Sequence, residues 1–94
     1  MSVHFSHIDF KTSKHAKMLA NDFDYILNNI WCTRSFNKGY KRWNEISKNI
    51  PSPYSFRINV EISHVDLGHG IQQARMAVKS EMEDFLKFTI EHEN

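Results

Sequence analysis

The run that begins at Tyr54 constrains the fold most. Tyr54, Phe56, Ile58, Val60 and Ile62 alternate with Ser55, Arg57, Asn59, Glu61 and Ser63. Strict alternation is the pattern of a strand with one buried and one wet face. It predicts a strand within YSFRINVEISHVDL, about 12 residues long against a usual five or six. The break Pro51-Ser52-Pro53 precedes it and the turn Gly68-His69-Gly70 follows it. A long strand beside a single partner leaves an exposed edge, which proteins cover.

A first, short strand is expected over 3–10. Val3 and Phe5 share one parity there, and Ile8 and Phe10 the other. Between the strands, Ala16, Leu19, Ala20, Phe23, Ile26, Leu27, Ile30 and Trp31 recur at three- and four-residue steps. That is one wide apolar stripe, and it predicts a helix over 13–31 with Thr12 or Ser13 as cap. Tyr40, Trp43, Ile46 and Ile50 are spaced for a second helix ending before Pro51. A hairpin around Lys38-Gly39 is the competing reading of residues 32–46. A last helix is expected to carry Ile71, Ala74, Val78, Met82, Phe85 and Thr89 on one stripe, with Phe88 and Ile90 outside it.

The fold class expected is therefore α+β, a single domain over 1–94. The order is β-α-α-β-α, or ferredoxin-like β-α-β-β-α if 32–46 is a hairpin. Completion of the sheet by a second copy of the chain is the reason to expect a homodimer.

Composition excludes several classes. At 94 residues, with 40% hydrophobic residues and seven Phe, three Tyr and two Trp, the chain is neither disordered nor long enough for two ordinary domains. No apolar run approaches a membrane span, and no basic-then-apolar start marks a secretory signal. The single cysteine, Cys32, cannot form an internal disulfide, so a reducing, cytoplasmic setting is expected. Cys32 reads as a small buried hydrophobe, or else as a low-pKa thiol near Arg34. No cofactor-binding motif is present and no cofactor is expected.

One local pattern recurs. Ser6-His7-Ile8-Asp9-Phe10 is echoed by Ser63-His64-Val65-Asp66-Leu67. If both segments end parallel strands, His7, Asp9, His64 and Asp66 converge at one sheet edge, where ligands of open α/β sheets collect. Imidazole beside carboxylate suits general acid–base work. His7, His64, His69 and Asp66 are also the types that hold zinc or manganese. The plainer reading is that His and Asp end strands because the chain is leaving the core. His4, His15 and His92 share no element and read as surface residues.

Charge is divided unevenly. The net charge of +1 hides +5 over residues 33–57 and −4 over 58–94. The basic segment holds Arg34, Lys38, Tyr40, Lys41, Arg42 and Trp43, the candidate binding residues. Bases interleaved with aromatics suit an acidic protein partner, because Arg, Trp and Tyr are common interface anchors. They suit a phosphate backbone with stacked bases as well. Tyr40 and Trp43 as core beside a solvated basic face is the reading without a partner. Gly68-His69-Gly70 before a helix reads as a turn, or as an anion site at the helix N-terminus.

The function expected is a small intracellular, non-enzymatic binding protein: a regulator, inhibitor or immunity-type factor acting on a protein partner. A nucleic-acid or nucleotide binder using residues 33–57 is the first alternative, and a small His/Asp hydrolase or nuclease the second.

Overall fold

A computed structural model describes residues 4–68 and 71–92. It contains four α-helices: α1 (Lys14–Ile30), α2 (Phe36–Ile46), α3 (Tyr54–Asp66) and α4 (Ile71–His92). Single 3-10 turns, Thr33–Ser35 and Ser47–Asn49, flank α2. Among the described residues there is no strand, so the expected α+β sheet is wrong in both its orders. The ground for a homodimer, an uncovered strand edge, goes with it. Among the described residues no helix is long and apolar enough to cross a membrane.

α1 forms as its stripe requires. The Ser13 hydroxyl accepts the Ala16 N–H at 3.1 Å, satisfying one of the donors that a helix start leaves open. Ala16, Leu19, Ala20, Phe23, Ile26, Leu27 and Ile30 are all buried, while Trp31 is half-buried. α1 is the central element, with α2 against one side and α4 against another, and α3 packs on α4.

α2 confirms the helical reading of 36–46 over the hairpin. Gly39, which the hairpin used as a turn, is instead the point where α2 touches α1. A Cβ there would lie 2.9 Å from Ile30 Cγ2, 3.0 Å from the Ile26 carbonyl oxygen and 3.1 Å from Asn29 Cβ. We expect Gly39→Ala to destabilise the fold. Overpacking costs about 1–3 kcal/mol, against about 1 kcal/mol gained in helix propensity. Urea unfolding measures it, and an unchanged or raised midpoint would contradict this packing.

The alternating run is α3, and its alternation has a helical cause. Residues two apart on a helix lie about 200° apart, and residues four apart about 40°. Tyr54, Ile58, Ile62 and Val65 therefore form one stripe, while Phe56, Val60 and Leu67 form another on the opposite side. The first stripe packs inward, with Ile58 and Ile62 fully buried and Val65 nearly so. The second faces out: Phe56 is 66% exposed and Leu67 65%. β-Branched residues favour strands, but packing on α4 overrides that preference.

α4 buries Ala74, Val78, Met82, Phe85, Leu86 and Thr89. Phe88, outside the main stripe, meets Tyr54 with ring centroids 5.2 Å apart, and Phe85 meets it at 5.1 Å.

The expected first strand fails as well. Val3 lies outside the described residues, and residues 4–7 form turns. Phe5 is buried against Phe23, and the Ile8 N–H donates to the Phe5 carbonyl at 3.1 Å. His4 is not a surface residue: its N–H donates to the buried Asp24 carboxylate at 2.8 Å and its ring lies by Trp31.

Candidate functional site

With neither segment a strand, the two His-Asp pairs share no sheet edge. His7 Nε2 lies 2.7 Å from Glu83 Oε2 on α4. Burial raises the Glu83 pKa, but hydrogen bonds from His7 and Lys87 outweigh it and hold the carboxyl below its ordinary range. Asp9 accepts the Lys11 N–H at 3.0 Å, supporting the left-handed backbone of Lys11 (φ 55°). His64, in the last turn of α3, lies 3.1 Å from Glu61 one turn back. Asp66 borders a cavity that also contains Arg75. Glu83, the partner of His7, is eight residues beyond Arg75, about 12 Å of helix rise. His69 and Gly70 lie outside the described residues. Among the described residues no group of three His, Cys, Asp or Glu is placed to hold a metal ion.

The basic segment divides into a structural and a free part. Trp43 is 1% exposed, and its Nε1–H donates to Asn59 Oδ1 at 3.2 Å, linking α2 to α3. Arg42 donates to Asp22 at 2.9 Å and lies 4.5 Å over the Tyr25 ring, joining α2 to α1. Trp43 is therefore part of the core, and Arg42 is engaged within the chain while its side chain stays partly exposed. Tyr40, 38% exposed, stacks on Phe36. Arg34, Lys38, Lys41, Lys48 and Arg57 are exposed, and none makes an ion pair among the described residues.

α2 and α3 do not pack closely, and a cleft opens between them. Tyr40, Trp43, Asn44 and Ser47 line one side of it, and Ser55, Phe56 and Asn59 the other. This second side is continuous with the outer stripe of α3. Lys41 lies one turn before Asn44 on α2, and Lys48 follows Ser47 in the 3-10 turn after it. The surface is therefore an apolar strip (Phe56, Val60, Leu67) beside a cleft with a basic rim. The two parts come from different causes: the bases stood out in the charge arithmetic, whereas the apolar strip was hidden inside the alternation.

Cys32 corrects an expectation. It is exposed, not a buried hydrophobe. The backbone N–H groups of Arg34 and Ser35 hold its thiol pKa below the ordinary value. A lowered pKa means more thiolate at neutral pH. We expect the alkylation rate with iodoacetamide to rise through a midpoint below that of free cysteine. A midpoint at or above the free value would contradict the placement.

No protein-family model, curated protein or solved structure matches the chain.

Proposed function

We propose that the chain is a small, intracellular, non-enzymatic binding protein that acts on a protein partner through the outer faces of α2 and α3. One observation carries this reading. α3 and its C-cap residue expose Phe56 and Leu67, each about two-thirds open to solvent, with the half-buried Val60 between them on the same side. Large apolar side chains aligned on one helix face cost hydration free energy in a lone monomer, and such strips mark interaction sites. Lys38, Lys41 and Lys48 are exposed and make no ion pair among the described residues, so an acidic partner segment fits. Its charge would speed encounter, and its apolar side chains would supply affinity.

The same observation favours a protein over nucleic acid. Phe56 can stack on a base, but Val60 and Leu67 offer a base no comparable face. The His/Asp hydrolase reading has lost the convergence it rested on.

The test is retention of bound protein by immobilised wild type and by a Phe56→Glu, Leu67→Gln double variant. Loss of a specific partner from the folded variant supports the reading. Equal retention by both contradicts it, and salt-sensitive binding of short oligonucleotides would replace it with the nucleic-acid reading.

A further inference from the structure

Where the ends of α1, α2, α3 and α4 come together, a cavity of about 330 Å³ opens. Phe36 and Val65 give it apolar walls, and Thr33, Asn37, Asp66 and Arg75 give it polar groups. Arg75 is the unusual member. Its guanidinium lies 5.5 Å over the Trp31 ring. Its Nε is buried and has no hydrogen-bond partner. It makes no ion pair among the described residues, Asp66 included.

A half-buried cation without a counter-charge has given up hydration and received little in return. An anion in the cavity would meet the guanidinium donors that face it, although not the sealed Nε. Guanidinium presents a planar fork of donors that matches a carboxylate. The Thr33 hydroxyl and the Asn37 amide add hydrogen-bonding groups to the lining. Asp66 sets the charge of the occupant: a carboxylate bordering the same space repels a dianion more than a monoanion. The volume is near the lower end for small-molecule pockets, roughly 300–1,000 Å³, and leaves room for one small apolar body.

We propose that this cavity binds a small monocarboxylate, its carboxylate on Arg75 and its apolar part between Phe36 and Val65. The site does not depend on the partner-facing surface, and either can fail without the other.

Benzoate, its neutral isostere benzamide, and inorganic phosphate are suitable probes, titrated into the full-length protein and followed by backbone amide NMR. Benzoate should bind saturably at millimolar concentration and move the amides of Thr33, Asn37 and Asp66. Benzamide should bind at least about tenfold more weakly, since a hydrogen bond to a charged group is lost. Arg75→Gln should abolish saturation, and Asp66→Asn should strengthen phosphate more than benzoate. Benzamide binding as tightly as benzoate, or no saturable benzoate binding, overturns the proposal. The benzoate–benzamide comparison uses wild type alone, so it decides the matter even if Arg75→Gln fails to fold.

Discussion

Trp43→Ala should unfold the protein over much of its working range. The side chain is the largest of the fully buried set: it sits in the core from α2 and bonds Asn59 on α3. Truncating a buried Trp costs about 3–5 kcal/mol. A domain of this size has a total stability at the lower end of about 5–15 kcal/mol, so most of it would be lost. Trp43→Phe keeps much of the apolar volume and forfeits the Nε1–H bond, and should cost clearly less. Urea unfolding followed by far-ultraviolet circular dichroism reads both. A Trp43→Ala variant as stable as wild type would mean that Trp43 is not in the core.

The Phe56→Glu, Leu67→Gln variant should behave in the opposite way. Both side chains are mostly exposed, so their replacement removes little buried area. Glu at position 56 falls in the first turn of α3, where a negative charge is favourable to the helix dipole. Stability should stay within about 0.5 kcal/mol per site, the usual range for surface changes. Partner affinity should fall by about thirtyfold or more for each side chain that is a hot spot, corresponding to 2 kcal/mol. Isothermal titration with the identified partner measures it. A variant that unfolds would place Phe56 or Leu67 in the core. A folded variant with full affinity would move the contact surface elsewhere.

These two variants show why part of the fold was legible in the sequence and part was not. α1 has apolar residues on one side only, so its period is unambiguous. α2 was readable from Tyr40, Trp43 and Ile46, although Gly39 invited a turn; its true cause, close approach to Ile26 and Ile30, is a tertiary fact. α3 has apolar residues on two opposite sides. Two helical stripes about 200° apart put an apolar residue at every second position from 54 to 62, and that is indistinguishable from a strand by periodicity. The misreading and the candidate surface therefore have one origin, the outer stripe.

The site was legible to a similar extent. The uneven charge marked the basic segment, and Arg34, Lys38 and Lys41 in it are exposed. It could not separate them from Arg42 and Trp43, because nothing local signals that Asp22, Tyr25 and Asn59 are waiting in space. The His-Asp echo failed for the same reason: its segments are a turn and a helix end, and their true neighbours are Glu83 and Glu61. Arg75 was missed. Its one sequence signal is a base immediately after the buried Ala74 and one turn before the buried Val78, at the margin of a core stripe.

The central claim is that residues 54–66 are a helix with an apolar stripe on each side, one buried and one open. NMR with a soluble paramagnetic probe tests it most directly. Helical Cα shifts are expected from Tyr54 to Asp66, with strong attenuation of the Phe56 and Leu67 side chains and little attenuation of Ile58 and Ile62. Extended shifts over this segment, or Phe56 and Leu67 as protected as Ile58 and Ile62, would contradict it.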